Sequence, residues 1–241
     1  MIDDILKLKE KIEKAKNICV FTGAGISCPS GIPDFRSADG LYNKSHGSLL
    51  PERIISHTFF MSDPELFYEF YKGKMLYPSA LPNAAHYYFS RLEKEGKNVG
   101  VITQNIDGLH QAAGSTEVAE LHGSVHRNFC MKCGKYYDLD YIVNSDGVPK
   151  CDVCGSNIKP DVVLYEEQLN ENVIEKALKI ISGADMMIVV GTSLVVYPAA
   201  SFIKYFNGSS LILINKSKTA YDSSADIVIN DNIINVVSKL N

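Results

Sequence analysis

The 241-residue chain carries no basic excess, no uninterrupted apolar span and no internal repeat. Its net charge is −4 and its pI near 5.9, so it lacks the electrostatic footprint of a protein whose main partner is nucleic acid. The opening "MIDDILKLKEK" has acids where a secretory leader needs a basic start and an apolar stretch. The most apolar window, "ADMMIVVGTSLVVYPAA" over 184–200, carries Asp185 and Pro198 and is broken by Gly191-Thr192-Ser193. It reads as a buried strand and turn, and no membrane span is expected. Without an export signal the expected compartment is the reducing cytoplasm, where cysteines lean towards metal or free thiol. No low-complexity linker divides the chain. What is present is the composition of an ordinary soluble globular protein, 46% hydrophobic and 22% charged. The length suffices for a full core, in one domain with an insertion or in two.

Apolar spacing predicts alternating elements. Residues 3–16 put Ile5, Leu8, Ile12 and Ala15 on one helical face. Ile18–Phe21, 99–103, 118–121, 186–191, 211–215 and 226–229 read as short buried strands. Residues 64–76, 83–96, 172–182 and 231–240 read as helices, the first opened by Asp63-Pro64 and the second stopped by Gly96. Short apolar strands between helices mean an α/β fold with an open, largely parallel sheet. Two stretches, 40–80 and the cysteine-bearing 126–160, interrupt the alternation and are expected to form a smaller second domain.

The cysteines give the least ambiguous local signal. "CMKC" (Cys130, Cys133) and "CDVC" (Cys151, Cys154) stand at zinc-ribbon spacing. Each C-x-x-C turn offers two thiolates to one ion, and four protein ligands leave no position for water, so one structural Zn²⁺ is expected. Two redox pairs would use the same residues. Cys19, inside a strand, is expected in the core.

The nucleotide signal is incomplete. The strand at 18–21 runs into Gly23-Ala24-Gly25, the start of a turn that cradles a pyrophosphate at a helix N-terminus. The third glycine of G-x-G-x-x-G is missing, because position 28 is Cys28, and Pro33-Asp34-Phe35-Arg36 follows. Cys28 reads as a small residue that fits the turn. After the strand at 99–103 comes "TQNIDGLHQAAG", with Gln104, Asn105, Asp107 and His110 at a strand's carboxyl end, where open α/β sheets bind ligands. Helix capping would equally use Asn105 and Asp107. His122 in "ELHGSV" suits a general base, having an unperturbed pKa near neutrality, although a loop histidine is more often a satisfied polar group. "VGTSLVVYPAA" adds a second strand-to-helix anion site through Gly191, Thr192 and Ser193, with Pro198 opening the helix. Asn215, at the end of "LILIN", is placed to hydrogen-bond a ribose.

Taken in order, "GAGISCPSGIPDFRS", "TQNIDGLH", "LHGSV", the double C-x-x-C, "GTSLVVYPAA" and "IN" resemble the motif series of the sirtuins, compact bacterial type, over residues 22–215. Sirtuins are NAD-dependent protein-lysine deacylases. The resemblance implies a Rossmann-like domain (1–39, 81–125 and 161–241) and a small domain of a helical module (40–80) and a zinc module (126–160). NAD and an acyl-lysine protein or peptide would enter the cleft between them. The acyl oxygen would attack ribose C1′ with release of nicotinamide, giving free lysine and 2′-O-acyl-ADP-ribose. Gly23, Ala24, Gly25 and Cys28 would line the phosphate side. Phe35 would shield the ribose and nicotinamide, and Arg36 would contact phosphate or order the loop. Ile106 and Asp107 would hold the carboxamide, and Gln104 and Asn105 the ribose and a water. His122 would take a ribose hydroxyl proton. Gly191, Thr192, Ser193, Asn215, Asp231 and Asn232 would hold the adenosine half.

The resemblance places the substrate peptide along "PDVVLYEE", as an added strand, with Val162, Val163 and Leu164 at the acyl-lysine tunnel. Glu166 stands where the family usually has glycine, which leaves the loop shape open. The pair Glu166-Glu167 hints at basic neighbours of the target lysine, or simply lies in a solvated loop. Members that remove succinyl groups carry Tyr-x-x-Arg, and the matching positions here are Tyr71 and Lys74. Lysine lacks the planar fork of arginine, so acetyl is expected over succinyl, with both side chains otherwise on a solvated helix face. A mono-ADP-ribosyltransferase, a desuccinylase and an NAD-binding module without turnover are the alternatives. A zinc-ribbon nucleic-acid binder is disfavoured by the acidic pI.

Overall fold

The computed structural model of the chain describes residues 2–34 and 49–240. Helix α1 (Ile2–Lys14) has acids in its first turn and lysines in its last, matching the helix dipole, and buries Ile5, Leu8 and Ile12. Strand β1 (Asn17–Thr22) follows, then two 3₁₀ turns over Ala24–Ile26 and Cys28–Ser30. Helices α2 (Pro51–Ile54), α3 (His57–Ser62), α4 (Pro64–Lys74) and α5 (Ala84–Lys94) lead to β2 (Asn98–Thr103). The short α6 (Leu109–Ala112) precedes β3 (Glu117–Glu120). Then come β4 (Gly123–Cys130), β5 (Tyr136–Tyr137), α7 (Leu139–Asn144), β6 (Ile158–Val162) and α8 (Glu171–Gly183). The chain closes with β7 (Met186–Val190), a 3₁₀ helix over Ala199–Tyr205, β8 (Ser210–Ile214), β9 (Ile227–Ile229) and α9 (Ile233–Leu240). Among the described residues no helix is long and apolar enough to cross a membrane.

Six strands form one parallel sheet in the order β3-β2-β1-β7-β8-β9. Residues alternate between its faces. Ile18, Val20, Val101, Ile188 and Ile212 join the core under α1, α5 and α9. Cys19, Phe21, Ile102, Val189 and Leu213 join the core under α8 and the 199–205 turn. Burial on both faces explains why these strands read as unbroken apolar runs. Strand order reverses between β1 and β7, and that switch point puts a crevice at the carboxyl ends of the strands.

The second sheet is antiparallel, in the order β5-β4-β6, with an irregular register between Ser124 and Asn128. It shares one core with the helices before it: Phe60, Phe67, Tyr68 and Tyr71 pack with Val125, Cys130, Tyr137, Ile142 and Ile158. The Tyr68 hydroxyl donates to the Ile158 carbonyl (2.5 Å), and Lys72 Nζ reaches the Ser145 and Gly147 carbonyls (2.5 and 3.0 Å). Arg127 ties the two sheets together, with Nη1 on Glu120 and Nε on Asp161, each at 2.7 Å.

The α/β class, the parallel sheet and its accompanying helices match the sequence expectation. Strands β4 and β6 had no such signal, because polar His126, Arg127 and Asn128 sit between the apolar residues of β4 and Pro160 sits inside β6. The helix expected from Pro198 is a 3₁₀ helix. No α-helix follows Gly25 either; the loop closes through successive i→i+3 bonds from Ile26 to Gly23 and from Ser27 to Ala24.

Candidate active site

At the switch point the loops after β1 and β7 touch backbone to backbone. Gly23 N donates to the Val190 carbonyl (3.1 Å) and Gly25 N to the Gly191 carbonyl (2.8 Å). A Cβ on Gly25 would lie 2.6 Å from Gly191 Cα, and one on Gly191, at φ +60°, would lie 2.5 Å from Ile26 N. The sequence suggested that these glycines open room for phosphate; the missing Cβ of Gly25 instead makes room for Gly191. Gly25 spends its N–H on that contact.

A crevice of about 600 Å³ opens over this junction, within the range of small-molecule sites. Gly23, Ala24, Gly25 and Cys28 line one side, and Gln104, Asn105, Ile106, Asp107 and His122 another. Gly191, Thr192, Ser193, Asn215, Asp231 and Asn232 line the far end, and Val162, Val163, Leu164 and Lys74 the near end. Residues from eight separate stretches of the chain therefore line one crevice. Phe35 and Arg36 lie outside the described residues. Tyr71 is fully buried in the core of the small sheet and does not line the crevice, so it is not on a solvated face; its ring stacks on Phe67 at 5.6 Å. Position 71 belongs to the inward stripe of α4 with Phe67, Tyr68 and Phe70, whereas Lys74 reaches the crevice.

The polar groups of the wall are held in a connected net. Asn105 Nδ2 donates to the Gly23 carbonyl (3.1 Å) and to Ser27 Oγ (3.0 Å), and Ser27 Oγ donates to Asp107 Oδ2 (2.7 Å). Asp107 Oδ1 accepts from Leu109 N (2.9 Å), so Asp107 is a turn-capping residue as well as part of the wall. Burial raises its pKa, against the opposing pull of those hydrogen bonds. Gln104 Nε2 donates to Thr192 Oγ1 (3.0 Å), and Asn215 Nδ2 donates to the Thr192 carbonyl (2.5 Å). At the far end Asp231 accepts from Asn232 N (2.7 Å) and Asn232 Oδ1 from Ile234 N (3.0 Å), as caps of α9.

His122 sits in the turn joining β3 to β4. Its Nδ1 is 2.9 Å from the Gln104 carbonyl. A carbonyl only accepts, so Nδ1 carries the proton and Nε2 keeps its lone pair. Burial lowers the His122 pKa, so the ring is neutral at pH 7. The His122 carbonyl accepts from Val163 N (3.0 Å). Beside it, Gly123 has φ +76°, and a Cβ there would lie 1.9 Å from the Asp161 carbonyl oxygen.

Glu166 takes the left-handed conformation (φ +76°) that the family's glycine would favour. Its carboxylate accepts from Thr58 N (2.9 Å) at the start of α3. Glu167 accepts from His57 Nδ1 (2.8 Å), Leu164 N (2.9 Å) and Lys159 Nζ (3.0 Å). Both acids are thus engaged within the chain, while Glu166 stays exposed, in keeping with a solvated loop. Cys28 Sγ lies 3.4 Å from the Ala24 carbonyl, and burial pushes its thiol pKa up, as befits a turn-filling residue. Cys19 is buried in the core as expected. Ser27 and Thr22 went unnoticed in the sequence, since serine and threonine beside glycines are ordinary loop composition.

The four cysteines of the small sheet lie apart from the crevice. Their sulfurs lie within 4.8 Å of one another, with Cys130–Cys154 at 3.4 Å and Cys133–Cys151 at 3.6 Å. A tetrahedron with metal–sulfur bonds of about 2.3 Å has edges of about 3.8 Å, so the set fits zinc. Lys132 N and Cys133 N both donate to Cys130 Sγ (3.4 Å). Left-handed Gly134 and Gly155 return their N–H groups to the Cys130 and Cys151 carbonyls (3.0 and 2.9 Å). The Tyr137 hydroxyl donates to Cys151 Sγ at 3.0 Å.

A family model described as the Sir2 family matches residues 23–198. An NAD-dependent protein deacetylase of Clostridium acetobutylicum is 56% identical over 235 residues, 97% of this chain and 96% of its own. A solved structure of a Sir2 variant with deacetylated p53 peptide and 3′-O-acetyl-ADP-ribose has a TM-score of 0.90 at 38% identity, covering 98% of this chain and 96% of that one. One of Sir2 bound to acetylated peptide has a TM-score of 0.85 at 37% identity, with the same coverage.

Proposed function

The chain belongs to the Sir2 family and is an NAD-dependent protein deacetylase, and we propose which of its residues do the work. NAD supplies an electrophilic ribose carbon, activated by the departure of nicotinamide, to which the acyl group passes. The donor set suits it: backbone loops at a strand switch point, a buried carboxylate, amide side chains and the neutral imidazole of His122 line a single crevice. Asp107 and Ile106 hold the carboxamide of nicotinamide, and Asn105, fixed by Gly23 and Ser27, orients the ribose. Gln104, Thr192 and Asn215 set the adenosine end, with Asp231 and Asn232 behind them.

His122 is the general base. The observation that carries this role is the bond from Nδ1 to the Gln104 carbonyl, which leaves Nε2 as the only nitrogen able to accept a ribose hydroxyl proton. Val162, Val163 and Leu164 carry the acyl-lysine side, and the small domain comprises residues 40–80 and 126–160. Among the described residues Lys74 brings a point charge to the near end without the planar fork of an arginine, so acetyl is preferred over succinyl. One Zn²⁺ on Cys130, Cys133, Cys151 and Cys154 holds the small sheet together. The cytoplasm is the compartment in which four thiolates stay available to it.

The test is mass spectrometry of products from NAD and an acetyl-lysine peptide. The wild type forms free lysine, nicotinamide and O-acetyl-ADP-ribose in equal amounts. His122→Ala loses deacetylation by about 10²-fold or more with NAD affinity nearly kept, the usual weight of a general base. Product formation near the wild-type rate in His122→Ala would end this assignment. ADP-ribosyl-peptide as the main product would favour the transferase reading.

A further inference from the structure

One residue of the "NIDGLH" stretch has no place in the proposed chemistry. His110 is 1% exposed and does not line the crevice. Its Nε2 is 3.1 Å from Thr22 Oγ1, on the last residue of β1, immediately before Gly23. Its ring meets that of His86 edge to face, with centroids 4.9 Å apart. His86, wholly buried on α5, accepts the Asn83 backbone N–H at Nδ1 (3.2 Å). An amide N–H only donates, so His86 is protonated at Nε2. The side chain of Asn83 in turn donates to the Ile26 carbonyl (2.8 Å) and to Ser30 Oγ (2.9 Å).

These contacts form a bracket behind the crevice. One arm, His110 to Thr22, reaches the start of the cofactor loop. The other, His86 through Asn83, reaches its far end. His110 itself stands three residues after Asp107, in the short helix whose first N–H, that of Leu109, bonds to Asp107. The bracket therefore ties both ends of the 23–30 loop to the loop that carries Asn105 and Asp107.

We propose that His86 and His110 are positioning residues, which set the spacing between the 23–30 loop and Asp107 and so shape the nicotinamide end of the crevice. The proposal rests on the reading of Asp107 as the carboxamide-binding group. Two polar atoms of the pair, His86 Nε2 and His110 Nδ1, are buried without a protein partner. Their polarities are complementary when His110 donates from Nε2 to Thr22: His86 offers an N–H and His110 a lone pair. Burial holds both imidazoles neutral, which this bonding requires. The same deduction excludes a metal here, because His86 has no free lone pair to give.

The test compares His110→Phe, which keeps the ring and removes both nitrogens, with His110→Gln, which can again donate to Thr22. The readouts are KM for NAD, inhibition by nicotinamide, KM for acetyl-peptide and melting temperature. His110→Phe is expected to raise KM for NAD and weaken nicotinamide inhibition about tenfold, with peptide KM within about twofold. His110→Gln is expected to recover most of that loss, and Thr22→Val to mimic His110→Phe without adding to it. A lowered melting temperature with unchanged KM for NAD and unchanged nicotinamide inhibition would reduce the pair to core packing and overturn the proposal. So would equal losses for NAD and peptide. Asp107→Asn run alongside separates the two readings: unchanged nicotinamide inhibition there refutes the role of Asp107. His110→Phe still tests the bracket through KM for NAD. A neutron structure, or nitrogen NMR, with His86 protonated at Nδ1 would overturn the tautomer on which the bracket depends.

Discussion

The cysteine site and the crevice are built on opposite plans. Each cysteine knuckle is local: four residues and a glycine supply two sulfurs, a bonded N–H and a closing turn. The crevice is assembled from the ends of β1, β2, β3, β7, β8 and β9 and the segment after β6, and its groups orient one another across as many as 88 positions of sequence. A local site concentrates stability in one bound ion. A distributed site holds little stability in any one contact, and its geometry depends on the sheet beneath it.

The largest effect follows from that contrast. Cys151→Ser, or metal removal by a chelator, should open the small sheet to protease while the parallel sheet stays folded. Structural zinc contributes on the order of 10 kcal/mol, comparable to the whole stability of a domain. Limited proteolysis with zinc analysis checks this, and a zinc-free protein with native protease resistance would erase the contrast. Next comes Gly191→Ala, which places a Cβ 2.5 Å from Ile26 N in a left-handed residue. We expect it to cost about 3 kcal/mol and to raise KM for NAD, with zinc content unchanged.

Acid should separate the regions further. Burial lowers the pKa of His86 to about 4, that of His110 well below its usual value, and that of His122. Each takes up its proton near pH 6.5 when unfolded but only at lower pH when folded, so stability is full above about pH 6.5 and falls as pH drops. For His86 alone the loss by pH 5 is roughly 2 kcal/mol. Melting curves between pH 7.5 and about pH 5 read it, and His86→Phe should flatten the slope. A slope unchanged in that variant would show that His86 does not titrate this way.

The smallest effects form a matched pair of hydroxyl deletions. Tyr137→Phe removes a donor to Cys151 and should weaken zinc retention about tenfold without changing KM for NAD. Ser27→Ala removes the link between Asn105 and Asp107 and should raise KM for NAD with about 1 kcal/mol lost in binding, zinc untouched. If either deletion altered the other site, the two plans would not be independent.

Legibility followed the same division. The knuckles were readable because both partners of each contact lie within five residues. Strands buried on both faces were readable as apolar runs, which gave the sheet. His122 and the "QNID" residues were identified as candidates, and the structure brings them into one wall. Ser27 and Thr22 were not, because a hydroxyl next to glycine has no pattern until the facing strand is in place. Tyr71 was misread because spacing along α4 shows which residues share a face, not which face meets the neighbouring sheet. Glu166 could not be read either, since a left-handed glutamate leaves no pattern in sequence and the partner of its carboxylate, Thr58 N, lies 108 positions away.

The crossing of Gly123 over Asp161 acts like a keystone. It lies inside the small sheet, where Gly123 stands opposite Val162 at the end of the β4–β6 pairing. The two backbones touch there so closely that even a methyl group has no room, and Arg127 braces Asp161 to Glu120 beside it. One residue back, the His122 carbonyl takes the Val163 N–H. His122 and the segment that carries Val162 and Val163 are thus cut from one block, and a side chain at position 123 would wedge the two apart.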